Sequence, residues 1–232
     1  MSPASPSFNA VAAAIPQEAI DAFTALAANG SKIKISAAID KHGAAILDAA
    51  DSQGRTAIIA AAETGHGHIM GLLLDRGASI DARDRDGNTA LMTAAGHGYG
   101  HTACVLIERG ADVNAVNTEG RSALFFAVTH RDTSGRSFRS FSGKMMPGKK
   151  KALVSLLLSR GANPSIRDAK GATAESWARQ QGYAGVADQI LKEAEAHARQ
   201  RAVDVAVFTE GLPEDIVVLR ARYKIGRPAG PG

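Results

Sequence analysis

Apolar residues in the middle of this chain come in short blocks, and the blocks come in pairs. Ala57 to Ala62 is followed by Ile69 to Leu74, Leu91 to Ala95 by Val105 to Ile107, and Leu124 to Ala127 by Leu156 to Leu158. The first block of each pair is rich in small residues and suits a short helix that lies close against a neighbour. The second carries a Leu-rich face that needs burial. Polar punctuation separates the blocks. Asp51, Asp84, Asn117 and Asp168 are each followed three residues later by glycine, at Gly54, Gly87, Gly120 and Gly171. This is turn chemistry, with the glycine at positive φ. Thr56, Thr89, Ser122 and Thr173 stand two residues further on, where a hydroxyl can cap a helix N-terminus. Gly65, Gly98 and Gly182 would end the first helices, and Gly77, Gly110 and Gly161 the second. Each unit is therefore predicted to be a turn plus two antiparallel helices.

The units keep a fixed beat. Gly54, Gly87 and Gly120 are 33 residues apart, as are Gly77-Ala78 and Gly110-Ala111. Such a period marks a stacked array, in which no unit can bury its apolar face alone. Between Gly120 and Gly171 the spacing is 51, an excess of 18 residues that falls at Arg131 to Gly148. The insertion has no apolar period and is expected to form a surface loop. Residues 17–50 hold a degenerate unit, with a helix over Ile33 to Ile39 and an end at Lys41-His42-Gly43-Ala44.

The Asp-x-x-Gly-x-Thr starts, the Gly65-His66 and Gly98-Tyr99 midpoints and the Leu-Leu-x-x-x-Gly-Ala ends resemble the ankyrin repeat family over about residues 50–192. The resemblance implies an all-α, ankyrin-type α-solenoid of helix-turn-helix repeats with short β-turn tips. The family's Thr-Pro-Leu-His reads Thr56-Ala-Ile-Ile59, Thr89-Ala-Leu-Met92, Ser122-Ala-Leu-Phe125 and Thr173-Ala-Glu-Ser176. Without the proline and histidine, modest stability is expected on the same fold. The implied organisation is a flexible N-terminus at 1–16, a capping repeat at 17–50, four repeats at 51–194 with the basic loop at 131–148, and a helix extension and C-terminal arm at 195–232. In that last part Lys192 to Arg201 continues a helix, while Val203 to Phe208 and Ile216 to Ile225 alternate as a β-like arm about Gly211-Leu212-Pro213.

The resemblance also implies non-catalytic binding of another protein, as a scaffold, through the turn tips and the exposed side of the first helices. Carried over by position, the binding residues are Arg55, Arg85, Asp86, Asn88, His97, Thr118, Glu119, Arg121, Thr129 and His130. Ser52, Gln53, Glu63, Thr64, Gly96, Lys170, Gln180 and Gln181 belong to the same surface.

Charge adds a second reading. The net charge is +4, but Arg131 to Lys151 carries +6 and Ile216 to Gly232 carries +4, leaving −6 on the rest. Arg136, Phe138, Arg139, Phe141, Lys144, Lys149, Lys150 and Lys151 interleave cations with aromatics. That mixture suits single-stranded nucleic acid or an anionic membrane surface, although a charge run is more often a solvated face. A third reading is an accessory subunit of a partner enzyme.

Composition narrows the chemistry. The chain of 232 residues is 45% hydrophobic but only 5% aromatic, which suits closely packed thin helices. No apolar run is long enough to span a membrane. His66 and His68, and His97 and His101, have no cysteine pair or glutamate beside them in a metal-binding pattern, so no metal and no cofactor is expected. No nucleophile motif or phosphate loop is present, so no catalytic residue is predicted. Cys104, the single cysteine, is expected to be a buried thiol in a reducing, cytoplasmic setting, and Trp177 to pack into the end of the array.

Overall fold

The computed structural model describes residues 15–129 and 147–209. Helices occupy these residues in pairs: α1 Gln17–Ala28 and α2 Lys32–His42, α3 Ala57–Thr64 and α4 Gly67–Asp75, α5 Ala90–Gly96 and α6 Gly100–Glu108, α7 Ala123–Thr129 and α8 Pro147–Ser159, α9 Ala174–Gln180 and α10 Ala184–Thr209. A short 3₁₀ turn, Ala44–Ile46, follows α2. No strand occurs among the described residues; Arg167 and Thr173 form one isolated bridge. The first compact unit runs from Met1 to Leu191 and the second from Lys192 to Gly232.

Turn chemistry sets the helix starts. Thr89 Oγ1 accepts from the Met92 amide at 3.4 Å, and Thr173 and Ser176 form a reciprocal capping box. Thr56 departs from the expectation: its Oγ1 is buried and makes no hydrogen bond. Gly65 closes α3 in the left-handed region at φ 77°, which a residue with a Cβ adopts only at a cost.

The inner helices α1, α3, α5, α7 and α9 pack in succession, and α4, α6 and α8 pack behind them. Their contact faces explain the alanine content. Ala60, Ala61, Ala62, Ala94, Ala95 and Ala127 are all buried, and their small side chains let successive helices approach. Ile58, Met70, Leu73, Leu91, Leu106, Phe125 and Leu157 fill the space between pairs.

Polar groups tie neighbouring units together at two further levels. The Asp48, Asp81 and Asn114 side chains accept from the backbone N–H of Ser79, Asp112 and Asn163, each in the next unit, at 2.7–3.1 Å. Along the outer helices Arg76 pairs with Asp40, Arg109 with Asp75 and Arg160 with Glu108, at 3.6, 2.7 and 3.7 Å. These pairs are solvent-exposed, so each contributes about 0–1 kcal/mol.

Two expectations are corrected. Val203 to Phe208 is helical, not β-like, because α10 continues to Thr209. The helix formers from Lys192 onward are already in a propagating helix. Adding a valine to it costs only a few tenths of a kcal/mol relative to alanine, and the first breaker is Gly211. Ile216 to Ile225 lies outside the described residues. The insertion also ends earlier than its spacing suggested: Pro147 and Gly148 are the first residues of α8. Proline suits that position, where its missing N–H has no helical partner to lose.

Candidate functional site

The turn tips are built on four equivalent acidic or amide side chains. Asp51 Oδ1 accepts from the amides of Gln53 and Arg55 at 2.9 and 2.8 Å, closing the turn on itself. Asp84 does the same for Asp86 and Asn88, Asn117 for Glu119 and Arg121, and Asp168 for Lys170 and Ala172. Each tip is then bound to the next. The Ser52 amide donates to Asp21 at 2.7 Å, and Arg85 Nη2 donates to the Ser52 carbonyl at 2.6 Å. The Thr118 amide and hydroxyl both donate to the Asp86 carbonyl, and the Ala169 amide donates to the Glu119 carbonyl at 2.8 Å. The bond from Ser52 holds the Asp21 carboxyl below its ordinary pKa, with help from Gln17.

The predicted tip residues are therefore divided between surface and structure. Arg85, Asp86, Thr118 and Glu119 are exposed, but Arg85 lies along the stack against Gly54, where a Cβ would collide with its side chain. Arg55 is half-buried and bridges Asp51 to Glu63, with Nη1 2.7 Å from Glu63 Oε2. Asn88 donates to Asp84 at 3.0 Å and accepts from the Asn117 amide group at 2.9 Å. Arg121 pairs with Glu119 at 2.5 Å, lies 3.8 Å from Asp168 and covers the Trp177 ring. Its Nε is buried and makes no hydrogen bond.

Asp168 is the centre of that cluster. Burial pushes its carboxyl up, but the backbone amide of Ala172, the Trp177 indole, the Lys170 amide and the Arg121 charge together hold it below the ordinary value. Trp177 is half-buried and donates Nε1–H to Asp168 at 3.2 Å, so it is a part-exposed bracket between tip and helix.

On the inner helices, counting from each N-cap residue places Ala60, Thr93, Phe126 and Trp177 at one position and Glu63, Gly96, Thr129 and Gln180 three residues further on. Spacings of three and four lie on one side of a helix. His97 is half-buried beside them; its Nδ1–H donates to the Thr93 carbonyl at 2.9 Å, and its ring stacks on Tyr99 at 5.9 Å. Thr93 and Phe126 were not in the predicted set. The signal that could have found them is their equivalence to Trp177, four residues past the cap.

The basic set is not brought together as one loop. His130, Arg136, Phe138, Arg139, Phe141 and Lys144 lie outside the described residues. Lys149, Lys150 and Lys151 belong to α8 instead of the loop. Lys150 is fully buried: its Nζ donates to the Val128 carbonyl at the end of α7, at 3.1 Å, and sits 3.8 Å from the Tyr183 ring centroid. A cation at a helix C-terminus is favoured by the helix dipole and satisfies a carbonyl that the helix leaves open. Lys151 is exposed.

The remaining candidates are dispersed. His66 accepts or donates at Thr64 Oγ1, 2.7 Å away, and its ring meets His68 edge-on at 5.6 Å. Among the described residues no three of His, Cys, Asp and Glu come together as a metal-holding group. Cys104 is half-exposed, not buried as expected, because it lies on the outer side of α6 facing Glu108. That contact, with some burial, pushes the thiol above its ordinary pKa, away from the reactive thiolate. A shallow hollow of about 430 Å³ between the starts of α6 and α8 is lined by Gly98, Gly100, Ala152, Leu153 and Leu156, which offer no acid, base or nucleophile.

Stacked helix pairs, turn tips bound edge to edge and a 33-residue period define an ankyrin-type repeat protein. Residues 9–117 match the family model for ankyrin repeats in three copies. The units beyond residue 117 keep the same tip and helix geometry. No curated protein matches the chain significantly. Ankyrin repeats are generally protein–protein interaction modules, and the family is typically non-enzymatic. No helix among the described residues is long and apolar enough to cross a membrane.

Proposed function

We propose that this chain is a non-catalytic binding module that holds another protein on its turn tips and the exposed side of α3, α5, α7 and α9. One observation carries the reading: the tips are fastened to one another by hydrogen bonds from Asp21 through Ala169, through side chains at Asp21 and Arg85 and backbone to backbone at Thr118 and Ala169, so the surface is pre-organised. A surface ordered before binding loses little conformational entropy when a partner docks. The exposed groups there, among them Gln53, Asp86, Thr118, Glu119 and Lys170, are polar and of mixed sign, as at a non-obligate interface. A cytoplasmic setting belongs to the same reading, on the ground that Cys104 has no second cysteine in the sequence.

The test is a pull-down from cell extract read by mass spectrometry. Arg85 and Arg121 are poor positions to alter, because they hold the stack together. Thr93→Arg with Thr129→Arg instead places bulk and charge on the inner helices. The proposal expects this variant to lose the proteins that wild type retains, while Lys151→Ala keeps them. The opposite pattern, with displacement by a polyanion at low salt, would move the function to an anionic surface.

A further inference from the structure

We infer that the edge where inner helices end and outer helices begin docks on an anionic membrane surface, with Ile33 entering the interface between Lys32 and Lys34. This edge lies at the far end of the inner helices from the turn tips, so it is a second surface, separate from the one proposed above to hold a protein.

The edge is continuous from unit to unit. The His66 ring stands where a Cβ on Gly30 would be, and His68 Nε2 is 3.4 Å from the Gly30 carbonyl oxygen. Tyr99 covers Gly65 in the same way, His101 stands beside Gly67, and the Thr102 hydroxyl donates to the Gly65 carbonyl at 3.1 Å. Gly98 and Gly100 share a hollow with Ala152 at the start of α8. Lys150 then meets the Tyr183 ring, and Lys151 Nζ lies against Gly185. These contacts make the loops one surface.

Its charge has one sign. The described stretches that form it are 28–35, 62–69, 95–102, 147–152 and 179–186, and they hold a single carboxylate, Glu63, which Arg55 engages. Arg179 is paired with Glu175 and Asp188. Lys32, Lys34 and Lys151 are exposed and have no ion-pair partner among the described residues. At the opposite ends of the same outer helices, Arg76, Arg109 and Arg160 all pair with carboxylates. The residues between Thr129 and Pro147 carry Arg131, Arg136, Arg139 and Lys144 against Asp132, so their sequence does not reverse the sign. Lys34 and Lys151 stand three outer helices apart, about 25–30 Å at ordinary helix spacing. A partner that reaches both is anionic and extended.

Ile33 selects among extended anions. It is 86% exposed, while Ile35 and Ile39 of the same helix are buried. An aliphatic side chain offers no ring on which a base could stack, and phosphate gives it nothing. A bilayer interface satisfies all three neighbours at once. The isoleucine enters the acyl boundary, and the two ammonium groups stay among anionic headgroups.

The experiment is co-sedimentation of the full chain with vesicles of phosphatidylcholine, alone or in equal parts with phosphatidylserine. Binding should require the anionic lipid and fall by about tenfold or more between about 0.05 and 0.3 M salt, as a screened attraction does. Ile33→Ser should weaken it by about tenfold, because the apolar side chain no longer leaves water, and Ile33→Phe should keep it. Lys32→Gln combined with Lys34→Gln should also weaken it by about tenfold or more, each lysine near an anionic surface being worth about fivefold. All three residues are exposed, so circular dichroism should match wild type, and the serine and glutamine variants stand in for each other if one does not fold. Vesicle binding that neither variant alters would place the attraction in the insertion or the C-terminal arm and overturns the inference. Tighter binding to a single-stranded oligonucleotide, unchanged by Ile33→Ser, makes the edge a nucleic-acid surface and overturns it as well. So does a failure to bind anionic vesicles. None of these results touches the pull-down of protein partners, so the two surfaces are tested separately.

Discussion

The guanidinium carbon of Arg121 lies 5.2 Å from the centroid of the Trp177 ring, joining the tip of the third unit to the first helix of the fourth. Asp168 completes the arrangement by accepting the Trp177 indole N–H while its other oxygen closes its own turn. The three groups depend on one another. Asp168→Asn is the informative change, because Asn117 shows that an amide oxygen can close the same turn. The substituted amide would then point N–H groups at the indole N–H and at Arg121, donor against donor. Asp168 has a folded-state pKa below its unfolded one, so its contribution is complete above the ordinary carboxylate value of about 3.9 and is lost as pH falls through the lower folded value. Thermal unfolding should therefore show a lower melting temperature for Asp168→Asn at neutral pH, and a gap from wild type that narrows as pH drops below about 4. A gap independent of pH would assign the residue a purely steric role.

Glycine-to-alanine changes at the turns should divide into two groups. Gly77 and Gly110 have positive φ but open space where a Cβ would be, so only the left-handed backbone opposes alanine, at about 1–2 kcal/mol. At Gly87 the Cβ would meet the Thr118 backbone nitrogen at 3.1 Å, and at Gly120 the Arg167 carbonyl oxygen at 3.1 Å. Neighbouring backbone cannot rotate aside as a side chain can. Urea titrations should rank Gly87→Ala and Gly120→Ala well below Gly77→Ala and Gly110→Ala in stability. Equal losses at all four would mean the tips are not in contact.

Leu73 and Leu157 are fully buried between successive outer and inner helices. Truncating either to alanine should destabilise the array by about 2–5 kcal/mol. Leu73 has complete units on both sides and should lie at the upper end. Melting temperatures within a degree of wild type would show that the leucine faces are not the core.

Lys150 and Lys151, adjacent in sequence, should behave in opposite ways. Lys150→Met keeps most of the volume but leaves the Val128 carbonyl without its donor, a loss of about 1–3 kcal/mol. Lys151→Ala, on the exposed side, should change stability by no more than about 0.5 kcal/mol. Chemical denaturation of the two variants decides the matter. If Lys150→Met were silent, the buried amine would be incidental to the α7–α8 junction.

These residues also mark how far the sequence could be read. The glycine beat placed the tips and the helix pairs, because turn chemistry and helix capping are local and leave local signatures. Lys150 was not legible in that way. A run of three lysines resembles a solvated face, and only the arrival of Tyr183 and the end of α7 makes one of them internal. Arg85 and Arg121 could be placed on tips, yet nothing in the spacing says that their guanidinium groups turn along the stack. At Val203 to Phe208 the alternating valines suggested a strand, and the helix arriving from Ala184 prevailed. Cys104 was misjudged because its apolar neighbours suggested a buried stretch, whereas only Leu106 is buried and Cys104 and Val105 are both half-buried.

The side chains that meet at the tips differ from one junction to the next. Ser52 meets a guanidinium, Asn88 meets an amide, and Glu119 and Asp168 share Arg121 under an indole. The apolar stack would accept its units in any order, but these polar pairs would not. Exchanging the second and third units should preserve the helices and the backbone ties but mismatch these side-chain pairs, so the order of repeats is written into side-chain grammar as well as into the length of the chain.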